Sequence, residues 1–215
     1  LICQRPSARV CKRSKAMSRA FASVRIGRFQ IAAAEPIVDY TANCGNLSSA
    51  IGPFAIDEGL IDADDGEQLV RLFNTNTSKI IHARVPVANG QTVVAGGFEL
   101  QGVAGTGAKL KLDYLDPGGA GTGKLLPTGL VAETLDVEGL GEVPVSLVDV
   151  ATPMIFVATD NLGMTATASP VELDADQDAK ARLERIRCAG AVRMGMANQA
   201  KDTGLASPRI AICEK

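Results

Sequence analysis

The ten residues from Val38 to Leu47 read Val-Asp-Tyr-Thr-Ala-Asn-Cys-Gly-Asn-Leu, and they constrain this chain more than any others. A short strand-like run, Ile37 to Tyr40, leads into a tight Asn-Cys-Gly-Asn turn. The turn opens an apolar helix. Leu47, Ala50, Ile51, Phe54 and Ala55 recur at helical spacing and are expected to line one buried face. Cys44 therefore falls where the first N–H groups of a helix have no intrahelical partner and the helix dipole is positive. Such a place lowers a thiol's pKa and favours the thiolate, the form that acts as base or nucleophile. The same N–H groups can hold a carboxylate. A small buried cysteine beside a glycine turn is the plainer reading of the same letters.

Beyond this junction the pattern alternates between short strands and one long helix. Ile80 to Val87 and Gln91 to Ala95 read as strands joined by Asn89-Gly90, a hairpin signal. Leu110, Leu112 and Tyr114 alternate with Lys109, Lys111 and Asp113; Val143, Val145 and Leu147 form a second alternating run, and Met154 to Ala158 a third. Asp174 or Asp176 caps a helix that runs to about Met194, with Ala179, Leu183, Ile186 and Gly190 on one face and Cys188 in its core. Arg209 to Cys213 starts another strand. The Gly-rich, Pro-containing segment 117–129 is the expected crossing between two domains. His82 has no evident partner on its strand.

Charge separates one end from the rest. Residues 1–34 hold eight of the 22 Lys and Arg and no Asp or Glu, leaving 14 basic against 24 acidic residues in the remainder. An acidic body argues against nucleic acid as the main partner. Residues 1–23 are read as a basic tail outside the fold, with the composition of a transit peptide. The five cysteines, Cys3, Cys11, Cys44, Cys188 and Cys213, offer neither a disulfide framework nor a zinc spacing, so no metal site is expected. That usage fits a reducing compartment, the cytoplasm, or the mitochondrion if the basic stretch is a transit peptide. No apolar run approaches a membrane span.

Residues 118–124, Gly-Gly-Ala-Gly-Thr-Gly-Lys, match the glycine and lysine positions of a phosphate-binding loop. Leu125 stands where the Mg²⁺-binding Ser or Thr belongs, and Pro127 forbids the regular helix interior that must follow. Nucleotide binding is not expected.

Several words of the sequence, in one order, resemble the PrpF family of 2-methylaconitate cis–trans isomerases. They are the residues at 39–48 and 52–59, Asn74 to Thr77, Gly123 to Gly129, Val145 to Asp149, Ala191 to Gly195 and Ser207 to Ala211. The resemblance runs from about Phe29 to Ile212 and leaves out residues 1–23. It implies an α+β, diaminopimelate-epimerase-like fold, in which two similar domains of mostly antiparallel strands each pack around a helix. The expected division is 24–126 for the first domain, with Cys44, and 127–215 for the second. The family's chain begins earlier and continues further, so the sequence reads as an internal fragment, incomplete at both ends and slower than an intact enzyme.

The implied activity is cofactor-independent proton transfer on a small unsaturated tricarboxylate of the 2-methylaconitate or aconitate type. By resemblance, Cys44 is the acid/base, and Asn43, Gly45, Asn46, Lys124 and Thr128 bind substrate. The family's proton-transfer lysine lies in a Thr-Ser-Lys word before the cysteine. Thr77-Ser78-Lys79 has the same letters but follows it, and Lys79 does not inherit the role. Thr152-Pro153 stands where the family often carries Asn-Pro, with a shorter side chain and no amide. An oxalomesaconate-type tautomerase of the same fold, or a non-catalytic remnant, are the alternatives. Partners are limited to the small-molecule substrate, with no nucleic acid and no membrane, and a homodimer is left open.

Overall fold

Strand alternation and turn chemistry decide most of this architecture. The structure is a computed structural model and describes residues 22–27, 30–31, 38–39, 45–165 and 167–214. The elements in chain order are β1 (Ala22–Ile26), β2 (Gln30–Ile31), β3 (Val38–Asp39), α1 (Gly45–Asp57), β4 (Gly66–Asn74), β5 (Lys79–Ala88) and β6 (Gln91–Thr92). There follow β7 (Phe98–Glu99), β8 (Thr106–Gly107), β9 (Lys111–Leu115), β10 (Glu133–Val137), β11 (Gly141–Val150) and β12 (Thr152–Ala158). Helices α2 (Pro170–Ala175) and α3 (Gln177–Arg193) precede β13 (Arg209–Cys213). One sheet has the order β1-β4-β5-β6 with β9 paired to β5; a second has the order β10-β11-β12-β13. The α+β expectation holds.

The described residues form two compact units, neither of them one continuous run. The first comprises 22–24, 48–72 and 82–112, and the second 25–27, 30–31, 38–39, 45–47, 73–81 and 113–214. Segment 117–129 belongs wholly to the second unit. Strand β1 begins at Ala22, so the last two residues of the stretch read as a tail lie in a sheet. Val24 and Ile26 are half-buried while Ser23 and Arg25 are exposed, an alternation that the basic composition masks.

In the first unit, Ile56, Val70, Leu72, Ala83, Val85 and Val87 make the core. Asn89 and Gly90 both have positive φ (55° and 71°), the geometry that a two-residue hairpin requires, and they join β5 to β6 as expected. The buried face of α1 differs from the expected one. It is Ser48, Gly52, Ala55 and Ile56, whereas Leu47 and Phe54 are about half exposed. The cause is close approach. A Cβ on Gly52 would stand 2.9 Å from Val85 Cγ2 and 3.4 Å from Ala83 Cβ, so position 52 has no room for a side chain against the sheet.

The second unit is built on β10–β13. Leu135, Val137, Val143, Val145, Leu147, Ile155 and Val157 point to one face, where Ile186 and Met194 of the α3 region cover them. Each fully buried large aliphatic side chain there contributes about 1.5–3 kcal/mol. Strands β10, β11 and β12 are antiparallel, with Val145 opposite Val157, while β12 and β13 are parallel. A parallel pair needs a crossover, which α2 and α3 supply. Asp176 caps α3 by accepting from Ala179 N at 2.9 Å, and the expected face of Ala179, Ile186 and Gly190 is buried. Ahead of it, Ser169 and Glu172 form a capping box that starts α2, an element the sequence reading passed over. Cys188 is only half-buried, at the flank of α3 rather than in the core.

Arg187 is buried on α3 and engaged through all three guanidinium nitrogens. Its guanidinium bonds Glu184 through two contacts of 2.7 Å and donates to the carbonyls of Gly204 (2.8 Å) and Pro208 (3.2 Å). Those bonds hold the Glu184 carboxyl below the ordinary carboxylate range. A carboxylate with a lowered folded-state pKa stabilises above its ordinary value, and the contribution is lost as pH falls through the lowered one. The urea midpoint of the unaltered protein should therefore exceed that of Glu184→Gln near about pH 6, and the gap should narrow towards about pH 3. A gap independent of pH would exclude an ionised pair.

Gly190 yields a second prediction. A Cβ there would overlap Ile155 Cδ1 and lie 2.9 Å from Ile155 Cγ1. Gly190→Ala gains up to about 1 kcal/mol of helix propensity but meets an overpacking cost of about 1–3 kcal/mol. Ile155→Val removes the obstructing methyl. In denaturant unfolding, Gly190→Ala is expected to be less damaging in the Ile155→Val background than alone; simple additivity would show that the helix does not approach so closely.

Candidate functional site

Helix α1 opens at Gly45, and its first turn carries no acidic side chain. The positive end of its dipole is thus left without a carboxylate from the helix itself. Gly45 and Asn46 are exposed there. The Tyr114 ring, from β9, comes up to this end. A Cβ on Gly45 would stand 3.0 Å from the Tyr114 hydroxyl, so glycine is what lets the phenol approach. That hydroxyl is buried and has no hydrogen-bond partner among the described residues. Tyr114 and Lys79 share a small recess with Pro117 and Ala120. Asn43 and Cys44 lie outside the described residues.

The glycine loop after β9 is organised around one side chain. Asp149 is wholly buried at the end of β11. Its Oδ2 accepts from Gly121 N (2.8 Å), Thr122 N (2.7 Å) and Thr122 Oγ1 (2.8 Å). Its main chain continues the grip, with Gly119 N donating to Asp149 O at 2.9 Å and Asp149 N donating to Leu125 O at 2.8 Å. Gly119 (φ 70°) cannot be replaced freely, because a Cβ would fall 2.5 Å from Lys124 N. Gly121 lies against Pro153, which a Cβ would meet at 2.6 Å. Two N–H groups of this loop, those of Gly121 and Thr122, face the protein's own carboxylate, where in a phosphate loop such groups face the ligand; Gly123 N donates to Gly119 O instead.

Of the two residues of this segment expected to bind substrate, Lys124 is exposed and its carbonyl accepts from Thr122 Oγ1 at 3.0 Å. Thr128 instead donates its hydroxyl to Glu133 Oε1, while Arg193 Nε donates to Glu133 Oε2 at 2.5 Å. The Thr128 proton is therefore engaged, and the hydroxyl faces other groups only as an acceptor. Lys79 donates to Gly118 O at 2.8 Å and to Asp116 Oδ2 at 3.3 Å, which anchors the start of the glycine loop. Among the described residues no group of three His, Cys, Asp or Glu side chains is placed to hold a metal ion.

Three residues of this region escaped the sequence reading. Asp149 and Glu133 left a signal. Asp149 continues the inward series Val143, Val145, Leu147, and Glu133 the inward series of Leu135 and Val137. An acid at an inward position of an apolar alternation must be satisfied from within the protein. Tyr114 left none, because an aromatic in a half-buried strand is ordinary.

A family model described as "PrpF protein" matches residues 9–215. The match begins inside the basic stretch expected to lie outside the resemblance, and that expectation is corrected accordingly. The "3-methylitaconate isomerase" of Eubacterium barkeri is 42% identical over 179 residues, covering 83% of this chain and 47% of the relative. The "2-methyl-aconitate isomerase" of Cupriavidus necator is 39% identical and covers 78% and 44%. The "4-oxalomesaconate tautomerase" of Pseudomonas putida is also 39% identical and covers 78% and 45%. The crystal structure of a methylitaconate-delta-isomerase superposes with a TM-score of 0.69 at 41% identity, covering 87% of this chain and 48% of that one. The chain spans about half the length of the curated relatives it matches.

The cysteines provide a direct test of the junction at residue 44. Burial pushes the Cys188 thiol up from its ordinary value, which leaves less thiolate at neutral pH. Limiting alkylation of the folded protein followed by peptide mapping should label Cys44 before Cys188. Faster labelling of Cys188 or Cys213 would remove Cys44 from the position of most reactive thiol outside the basic N-terminal stretch.

Proposed function

We propose a function from one premise: the chain belongs to the PrpF family. It acts as an isomerase on a small unsaturated tricarboxylate of the 2-methylaconitate or aconitate type. The observation that carries the reading is the opening of α1 directly after Cys44, with no acidic residue in its first turn. A helix N-terminus whose own first turn brings no carboxylate suits a substrate carboxylate there. In the reaction a C–H proton α to a carboxylate passes to the Cys44 thiolate. The electron pair delocalises into that carboxylate, the C=C bond shifts, and a proton returns at the far end of the allyl system. The N–H groups of Gly45 and Asn46 stabilise the developing negative charge, and the exposed Lys124 ammonium faces a second carboxylate. Lys79 remains an anchor of the glycine loop.

Tautomerisation of an oxo-acid is the second reading. It is favoured by the tautomerase relative, which is as similar to this chain as the 2-methylaconitate isomerase relative is. Both reactions begin with the same proton abstraction, and the pocket around the second carboxylate would distinguish them.

Deuterium incorporation into trans-aconitate in heavy water tests the assignment. Cys44→Ala is expected to lower exchange by about 10²–10⁴-fold, while Cys188→Ala leaves it unchanged. Equal exchange by Cys44→Ala and the unaltered protein would exclude Cys44 as the base. Exchange on an oxo-acid with none on aconitate would favour the tautomerase.

A further inference from the structure

The glycine loop fits no role in that reaction beyond carrying Lys124, yet its donors converge on one point. The two amides of Gly121 and Thr122 and the hydroxyl of Thr122 all reach Asp149 Oδ2 within 2.8 Å. Consecutive backbone N–H groups turned to one centre form a concave anion site. Two of these three donors belong to the main chain and remain in a variant that lacks the acid. Thr122 Oγ1 has one proton and two acceptors, Asp149 Oδ2 and Lys124 O, so the hydroxyl follows whichever oxygen is present. The second oxygen of Asp149 is buried and has no partner among the described residues. All of the recognition therefore falls on a single carboxylate oxygen. Gly121 and Gly123 are themselves exposed, which gives a small ion a short path to the site.

We propose that the 118–124 turn is a carboxylate-binding nest whose occupant is the chain's own Asp149, and that a variant lacking this side chain takes up a free formate ion in its place. The nest explains a sequence that spells most of a phosphate loop without the magnesium ligand. The geometry of anion recognition is retained, and the anion is internal. The loop is consequently closed to phosphate in the unaltered protein. The proposal does not depend on the reaction assigned above.

Thermal unfolding of the full chain tests it. Asp149→Ala should lower the midpoint by roughly 5–10 °C. Sodium formate should restore at least half of the loss with a saturable dependence, and sodium chloride at equal ionic strength should not. Asp149→Asn fills the same space and should show no response specific to formate, as should the unaltered protein. A formate response absent from Asp149→Ala, or equal in all three proteins, would overturn the proposal. Should Asp149→Ala fail to fold, amide exchange on the unaltered protein decides. The N–H groups of Gly121 and Thr122 lie outside any helix or strand and are expected to exchange about 10²-fold or more slower than unstructured amides. Exchange at the unstructured rate would refute the nest.

Discussion

A carboxylate removed from water must find its donors in the protein, and at Asp149 that requirement organises the neighbourhood. Asp149 is wholly buried where β11 ends, and its main chain and side chain together hold residues 119 to 125. An unpaired buried charge of this kind would cost several kcal/mol. The glycine loop is the shape a chain takes when several consecutive groups must face one oxygen. Gly119 and Gly121 are there because a Cβ at either would strike the loop backbone or Pro153. From the other side, Lys79 fixes the start of the loop through the carbonyl of Gly118. The position of Lys124 follows from all of these.

Where burial follows from apolar side chains in a regular period, the sequence can be read directly. The alternation of β11, the cap and inner face of α3 and the Asn89-Gly90 hairpin are of this kind. Helix α1 is not. Leu47 and Phe54 suggest one face, and Ser48, Gly52, Ala55 and Ile56 occupy another, because at Gly52 contact distance rather than hydrophobicity selects what touches β5. The same limit applies to the site. A cysteine before a glycine at a helix start is visible in the letters, and so is an acid out of place in an apolar strand once the inward face is known. The approach of Tyr114 to Gly45 is a tertiary fact, produced by β9 lying near a helix more than sixty residues earlier in the chain.

Family membership and local physics bear on different parts of the proposed activity. The relatives carry the names of isomerases and a tautomerase, and the start of α1, with no acid in its first turn, is chemically suited to hold the carboxylate of the proposed substrate. The engaged hydroxyl of Thr128 and the occupied amides of the glycine loop narrow what remains for substrate in the described part of the chain. Lys124 is left as a point charge, which attracts a carboxylate without dictating its orientation.

Pro153 has a consequence for how the second sheet is assembled. Asp149 and Pro153 are directly opposed in the antiparallel pair of β11 and β12. Both main-chain groups of Asp149 turn outward to the glycine loop, so those of Pro153 turn outward on the other side, towards β13. A proline has no N–H to offer there. The parallel ladder accordingly starts one residue later, at Met154 opposite Arg209. Were β13 to slide along β12, a carbonyl would be brought against a position that cannot donate, and a one-residue slide would also turn its apolar side chains to the wrong face. The proline thus acts as a ruler's zero mark: it tells a strand that arrives some fifty residues later where to begin.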